Sequence, residues 1–132
     1  MKIILDTNIF LIPGKYKIDI FDELIRLGYT EFITTESVIH ELLILSKKYK
    51  RKKEIMSVNV AMSLADRCKI IKRKDDIELG QLKKNAIADD DILYLADDIG
   101  AVATNDKKLI EDLKKRGIKV IRLRQKKFLI EE

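Results

Sequence analysis

Residues 2–8 of the chain read KIILDTN. A short apolar run, KIIL, leads directly into Asp6, Thr7 and Asn8 before the chain becomes apolar again. The run is apolar at consecutive rather than alternating positions, which is typical of a strand covered on both faces, as in parallel sheets. The stretch therefore predicts a buried strand with a carboxylate at its end.

Three further runs have the same strand character: EFIT at 31–34, AVAT at 101–104 and KVIRL at 119–123, with KII at 69–71 as a weaker fifth. Segments with helical spacing of apolar residues separate them. This alternation predicts an α/β fold, a three-layer α/β/α sandwich with a central, mainly parallel sheet of four to five strands. Because the sequence contains no repeat, low-complexity linker or shift in composition, we expect a single domain over residues 1–132.

Helical periodicity covers five segments, at 17–28, 35–50, 52–66, 89–100 and 105–117. Three of them end at a glycine, which is a common helix terminator. Thr35 is a candidate N-cap for the second helix. The apolar residues that we expect the first two helices to bury are Ile18, Phe21, Ile25, Val38, Leu42 and Leu45.

The composition excludes several classes of function. The only histidine is His40, so a Ser-His-Asp triad or a histidine-rich zinc site is a poor fit. The single cysteine, Cys68, cannot form an internal disulfide, which suits a reducing cytoplasm, and we expect it to be a small buried residue. We expect no membrane span and no signal peptide. The 27 basic and 22 acidic residues leave a net charge of +5, which permits a polyanionic partner.

Acidic residues stand where the predicted strands and helices could bring them together. Asp6 follows the first strand and Asp106 follows AVAT, so both lie at carboxyl ends, where open α/β sheets bind ligands. The run 89–91 opens a helix, and Glu41 lies inside an apolar helix. Each acid could have a structural role alone, since aspartates at helix starts are common caps. Together they could form one acidic cluster at the sheet edge.

Clustered carboxylates repel one another, and burial disfavours their charged form. A bound divalent cation relieves that repulsion, and oxygen ligands without histidine or cysteine favour Mg²⁺ or Mn²⁺. Such a cation suits phosphodiester hydrolysis, because it polarises a phosphoryl oxygen and activates water. Neutral side chains beside the acids would hold the carboxylates and water in orientation; they are those of Thr7, Asn8, Thr104 and Asn105.

Four blocks in this order resemble the PIN-domain nuclease family: DTN after a strand, HEL on the helix after the second strand, ADDDILYLA, and GAVATND. The resemblance spans essentially the whole chain. It implies a Mg²⁺- or Mn²⁺-dependent ribonuclease with a parallel-sheet core. By position, the family's catalytic and metal-binding acids correspond to Asp6, Glu41 and Asp106, with the third acid among the three consecutive aspartates.

The family's third acid usually precedes an apolar residue by three positions, which selects Asp89, three residues before Ile92. Asp90 is the alternative metal ligand, because family members often carry a second acid there. We expect Asp91 to point away from that face and to be a solvated surface residue.

An acidic pocket attracts RNA only if basic residues lie nearby. KKYKRKK at 47–53 is the densest basic segment, and RLRQKK at 122–127 is a second one. Cationic side chains could neutralise phosphates, and Tyr49 could stack on an unpaired base. The candidate RNA-binding residues are Lys47, Lys48, Lys50, Arg51, Lys52 and Lys53. Single-stranded or looped RNA is the expected substrate, because its bases are accessible.

Several interpretations stay open at the level of sequence. An RNA-binding or scaffolding PIN module with little catalysis is the alternative to an enzyme. Within the enzyme class, family members include VapC-type toxins, which a small antitoxin neutralises, and nucleases of ribosomal RNA processing, whose ADD form the ADDDI block resembles. A haloacid-type phosphatase would need an aspartate where Asn8 stands, and a receiver domain would need an acidic pair near the first strand.

The resemblance also implies a homo-oligomer. The apolar segment of Phe10, Leu11 and Ile12 is one candidate contact surface, and the helix that carries Tyr94 is another. Both a dimer and a tetramer are compatible with the sequence.

Overall fold

The computed structural model describes residues 1–72 and 87–132. Its centre is a sheet whose six strands are β1 (Lys2–Leu5), β2 (Glu31–Thr35), β3 (Lys69–Ile71), β4 (Ala101–Ala103), β5 (Lys119–Arg124) and β6 (Phe128–Glu131). Their spatial order is β3-β2-β1-β4-β5-β6. The first five strands are parallel, and β6 pairs with β5 in the antiparallel direction.

Seven helices of the described ranges flank this sheet. They are α1 (Thr7–Phe10), α2 (Ile12–Tyr16), α3 (Ile20–Arg26), α4 (Glu36–Lys48), α5 (Lys52–Ala65), α6 (Ile87–Ile99) and α7 (Lys107–Lys115). The predicted α/β architecture with a mainly parallel sheet is confirmed, and the sheet has one strand more than expected. The sequence analysis missed β6 and the two short helices α1 and α2.

The order of the strands determines where a ligand site can form. From β1 the chain moves to β2 on one side, whereas β4, on the other side of β1, continues to β5 in the opposite direction. The carboxyl ends of β1 and β4 therefore flank a topological switch point, the usual ligand site of such sheets. A hydrogen bond from the Asp6 N–H to the Ala103 carbonyl, 3.0 Å long, joins the two strand ends there.

The core is aliphatic and lies on both sides of β1. Ile3, Ile4 and Leu5 have no exposed surface, as expected for a strand covered on both faces. Phe21, Val38 and Leu42 are buried as predicted, and Ile18 is partly buried. Cys68 is 8% exposed and donates a weak hydrogen bond to the Leu64 carbonyl, so its structural role is confirmed.

The helical pattern placed Ile25 wrongly, whereas Leu45 packs against the core as expected. Ile25 is 53% exposed, because α3 begins at Ile20 and buries Ile20, Phe21 and Leu24 instead. Leu45 is only partly buried, since it lies beside the acidic cavity described below.

The proposed oligomer contact at Phe10, Leu11 and Ile12 is wrong. These side chains are 0%, 6% and 2% exposed, because α1 and α2 fold the segment into the core. Tyr94 is 81% exposed on α6, so that helix stays available as a contact surface. Within the described ranges, no helix is both long enough and apolar enough to cross a membrane.

The close approach of α2 to α5 gives a first testable prediction. A Cβ added to Gly14 would lie 2.6 Å from the Ser57 Cα, a backbone atom that a rotamer change cannot move. Gly14→Ala should therefore destabilise the protein by about 1–3 kcal/mol, although alanine is the better helix former. Urea denaturation against Lys15→Ala, an exposed neighbour, measures the effect. Equal stability of Gly14→Ala and the unchanged protein would contradict the packing described here.

Candidate active site

Asp6 is the centre of a buried hydrogen-bond network at the carboxyl end of β1. It is 4% exposed and caps α1, with its Oδ1 accepting from the Thr7 N–H at 2.8 Å. Its Oδ2 accepts from the Asn8 side-chain amide at 3.2 Å and from the Thr104 hydroxyl at 2.7 Å. Both carboxylate oxygens are thus fixed by donors from the two strand ends.

The loop after β4 supplies the second acid and links it to the first. The Asp106 N–H donates to the Thr104 Oγ1 at 3.1 Å, and Asp106 Oδ1 caps α7 by accepting from the Leu109 N–H at 3.1 Å. The Asn105 N–H donates to the Asn8 Oδ1 at 3.0 Å. Asp106 therefore caps α7 as expected, and it is linked to Asp6 through Thr104.

Glu41 approaches the same point from α4. Thr35 caps this helix as predicted, because its Oγ1 accepts from the Val38 N–H at 3.2 Å. Glu41 is exposed to solvent, and its Oε2 accepts a hydrogen bond from the Thr7 hydroxyl at 2.8 Å. Thr7 thereby joins α4 to the segment that follows β1.

The four acids line one cavity of about 180 Å³ at the switch point. Its lining residues are Asp6, Thr7, Asn8, Leu11, Glu41, Leu45, Asp89 and Asp106. Of the three consecutive aspartates, Asp89 is the one that faces this cavity. The sequence analysis missed Leu11 and Leu45 as lining residues, because nothing in their spacing separates cavity walls from core.

Burial and mutual repulsion shift the pKa of two of these carboxyls upward. Burial raises the pKa of Asp6 to about 6, although hydrogen bonds from the Thr104 hydroxyl and a backbone N–H oppose the shift. Burial also raises the pKa of Asp89 to about 7, and the charges of Asp6, Asp106 and Glu41 add to it. The cavity therefore favours protonated carboxyls or a bound cation over a set of bare negative charges.

The carboxylate, hydroxyl and amide oxygens of the residues that line the cavity suit a hard divalent cation, which prefers oxygen ligands. Among the described residues, no three acidic, histidine or cysteine side chains are already arranged to hold an ion. Rotation of the exposed Glu41 and the partly buried Asp89 side chains would have to complete such a set.

Asp91 does not have the surface position that we predicted. It is 7% exposed, and the Ser37 hydroxyl in the first turn of α4 donates a hydrogen bond to its Oδ2. The reason is the packing of α6 against α4, which places the third aspartate of the run against the start of α4. Asp91 thus connects the helix that carries Asp89 to the helix that carries Glu41.

The first basic segment extends beyond the cavity along α4. The cationic residues from Lys47 to Lys53 are all exposed at the end of α4, in the connection and at the start of α5. Arg51 lies 3.9 Å from Glu54, and Tyr49 packs partly against the core, which limits the ring surface that it offers. In the second segment Arg122 pairs with Glu132 at 2.5 Å.

These features define an α/β protein with a carboxylate-lined cavity at the switch point of a parallel sheet. The profile of a family described as PIN like domain matches residues 3–126. Two archaeal relatives span nearly the whole chain. The ribonuclease VapC9 of Archaeoglobus fulgidus is 27% identical over 130 residues, covering 98% of this chain and 87% of that protein.

The ribonuclease VapC4 of Methanocaldococcus jannaschii is 33% identical over 134 residues, covering 96% of this chain and 93% of that protein. Among solved structures, the PIN domain endonuclease Utp24 matches with a TM-score of 0.73 and 24% identity, over 99% of this chain and 90% of that chain. A domain of a functionally unknown protein from Methanocaldococcus jannaschii matches with a TM-score of 0.60 and 19% identity, over 93% and 91% of the two chains. The chain belongs to the PIN-like domain family.

The raised pKa of Asp6 gives a pH-dependent prediction for the metal-free protein. Between about pH 4 and pH 6 the folded state keeps a proton on Asp6 that the unfolded state has lost, so stability falls as the pH rises through this range. Asp6→Asn removes this loss, and at pH 8 it should stabilise the protein by about 1–2 kcal/mol after allowing for a weakened hydrogen bond.

Chemical denaturation in the presence of a chelator, at pH 8 and at pH 4.5, measures this effect. Asp98→Asn, which changes an exposed carboxyl on α6, is the control and should show no gain at either pH. A destabilised Asp6→Asn variant at pH 8 would show that its hydrogen bonds outweigh the desolvation of its charge.

The contact between Ser37 and Asp91 gives a prediction about the docking of α4 on α6. Ser37→Ala and Asp91→Ala should each lower the free energy of unfolding by about 1–3 kcal/mol, because each removes the hydrogen bond between the Ser37 hydroxyl and the buried Asp91 carboxylate. The double variant should lose less than the sum, with a coupling of about 1 kcal/mol. Asp98→Ala serves as the exposed control on α6, and strictly additive losses would show that the two groups do not interact.

Proposed function

We propose that this protein is a ribonuclease that hydrolyses RNA phosphodiester bonds with the help of Mg²⁺ or Mn²⁺. The observation that carries the proposal is the convergence of Asp6, Glu41, Asp89 and Asp106, from four separate segments, on one cavity at the switch point. Two relatives that match nearly the whole chain carry the name ribonuclease, which supports the same conclusion.

The cation would be held by the carboxylates of Asp6, Asp89 and Asp106, with Glu41 completing the set and Asp90 as the alternative to Asp89. Once bound, Mg²⁺ or Mn²⁺ supplies Lewis-acid polarisation of a phosphoryl oxygen and a water of lowered pKa.

The neutral side chains hold two of the acids by hydrogen bonds. Thr104 and Asn8 hold Asp6 through its Oδ2, and Thr7 holds Glu41 through its Oε2. Asn105 contributes from a greater distance, because its backbone N–H fixes the Asn8 amide. These residues are positioning groups, since they act on the site through the acids.

RNA must approach an acidic cavity, so cations beside it have to offset the repulsion. Leu45 lines the cavity, and Lys48 follows it one helical turn further along α4. The exposed cations of residues 47–53 thus begin at the cavity wall. They would contact the phosphates of a single-stranded or looped RNA, with an affinity that falls as salt rises.

Two biological roles compete within this function. The names of the two full-length relatives favour a VapC-type toxin that acts in the cytoplasm and is neutralised by a small antitoxin protein. The ADDDI block favours ribosomal RNA processing instead, by its resemblance to that branch of the family. A homo-oligomer formed through the exposed face of α6 around Tyr94 fits either role.

Cleavage of RNA with and without divalent cation tests the proposal. We expect Mn²⁺- or Mg²⁺-dependent cleavage that a chelator abolishes and that Asp6→Asn and Asp89→Asn each reduce at least 100-fold. Asp90→Asn should have a smaller effect, because Asp89 is the residue that faces the cavity. Asp98→Asn on the exposed side of the same helix is the matched control and should cleave normally.

Sequencing of the RNA ends identifies the substrate in the same experiment. Cleavage that survives Asp6→Asn would show that the activity comes from another site or another protein. Tight RNA binding without cleavage under any divalent cation would favour the alternative, an RNA-binding or scaffolding PIN module.

A further inference from the structure

The turn between β5 and β6 lies on the same edge of the sheet as the acidic cavity. β5 runs parallel to β1 and β4, so its carboxyl end, at Arg124, is on the edge where Asp6 lies. The Leu123 N–H donates to Asn105 Oδ1 at 2.9 Å, and the Asn105 N–H donates to Asn8 Oδ1. The turn is therefore tied by two hydrogen bonds to the residues that hold Asp6.

The backbone of this turn places a lysine where hairpins normally have a glycine. The connection consists of residues 125–127, and in it Gln125 and Lys126 have φ values of 54° and 57°, in the left-handed region. The Lys127 N–H donates to the Arg124 carbonyl, and two central residues of positive φ are the pattern of a type I′ turn. Asparagine and glycine adopt it at the lowest cost, and other residues lose roughly 1 kcal/mol. Despite this cost in conformational free energy, Lys126 stands at the tip of the hairpin with its side chain exposed.

Lys126 lies over the aromatic ring of Tyr16, at the end of the helix that follows the cavity-lining residue Leu11. Its Nζ is 5.9 Å from the centroid of the Tyr16 ring, and Tyr16 is 38% exposed. Tyr16 ends α2, five residues after Leu11, which lines the cavity. One short helix therefore connects the cavity wall at Leu11 to the Tyr16 ring.

Two more cations surround the same ring. Lys15 and Lys17 flank Tyr16 in sequence and are exposed. Within the ranges that the structure describes, Lys15, Lys17 and Lys126 form no salt bridge to a carboxylate. An exposed aromatic ring among uncompensated cations is the combination that binds single-stranded nucleic acid, by stacking on a base and by neutralising phosphates.

We propose that Tyr16, Lys15, Lys17 and Lys126 form a nucleotide-binding subsite for the RNA strand next to the cleavage site. This inference rests on the proposed ribonuclease function and assigns one part of its substrate path. The base of a nucleotide beside the scissile phosphate stacks on the Tyr16 ring, and the lysines contact the adjoining phosphates. The subsite is separate from the segment 47–53, which reaches the cavity through α4.

Fluorescence anisotropy with a labelled 12-nucleotide single-stranded RNA, in a chelator to prevent cleavage, tests the proposal on the full chain. Tyr16→Ala should weaken the Kd about tenfold, whereas Tyr16→Phe should stay within twofold, because stacking needs the ring and not the hydroxyl. Lys126→Asn removes the positive charge and introduces a residue that tolerates the positive φ at this position. It should weaken binding about threefold and lower the slope of log Kd against log salt by about 0.7.

Matched controls come from other surfaces of the same chain. Ile25→Ala removes an exposed apolar side chain from α3, and Lys119→Ala removes an exposed lysine at the opposite end of β5; both should bind within twofold of the unchanged protein. Unchanged binding by Tyr16→Ala, in a protein that binds and cleaves RNA, would overturn the subsite and leave the ribonuclease function standing. A protein that neither binds nor cleaves RNA would overturn both. Equal losses in Ile25→Ala and Tyr16→Ala would also overturn the subsite, because the loss of binding would then not be specific to the Tyr16 surface.

Discussion

A carboxylate buried at the end of a central strand is the constraint on which the rest of this site depends. Moving the charge of Asp6 out of water is costly unless donors surround it. The Thr7 N–H, the Asn8 amide and the Thr104 hydroxyl supply three hydrogen bonds, and they come from both sides of the switch point. Even so, the pKa of Asp6 stays raised, so the donors only partly offset its desolvation. What remains is an attraction for a cation or a proton.

The same hydrogen bonds serve the fold and the site at once. Asp6 caps α1 and Asp106 caps α7, which are the ordinary structural roles of an aspartate at a helix start. Each cap also fixes the direction of its carboxylate, because an oxygen held by a backbone N–H cannot rotate freely. The capping interpretation and the catalytic interpretation are therefore compatible for these two residues. Capping explains how the acids can be rigid before any ligand binds.

The first five strands and the positions of Asp6 and Asp106 just after strand ends could be predicted from the sequence, because each depends on local order along the chain. The choice of Glu41 and Asp89 came from the resemblance to the PIN-domain family. Residues 2–5 form a buried strand, and Asp6 falls where the strand ends, whatever the neighbouring elements do. Strand β6 could not be predicted, because Gln125 and Lys126 adopt positive φ in a turn that lacks the glycine or asparagine typical of hairpins. The basic residues of that turn indicated only a solvated or RNA-binding segment.

The wrong positions of Asp91 and of Phe10 to Ile12 have a common cause. In both cases burial depends on how one helix docks on another, and periodicity within a helix does not fix that docking. Asp91 is buried because α6 packs against the start of α4, and the segment after β1 is buried because α2 packs against α5. The sequence of three consecutive aspartates does not indicate that the last of them, Asp91, accepts a hydrogen bond from Ser37.

The four acids therefore divide into a rigid pair and an adjustable pair. Asp6 and Asp106 are held by caps and by Thr104 at adjoining strand ends. Glu41 and Asp89 lie on helices, so their positions depend on the docking of α4 against α6. Glu41 accepts one hydrogen bond, from the Thr7 hydroxyl, and neither of the two acids caps a helix. A site built in this way can attract a cation with its fixed pair and complete the coordination with the other. The two acids at the strand ends are thus oriented by the sheet and the helix caps, and the two acids on helices can adjust their side chains to a bound ligand.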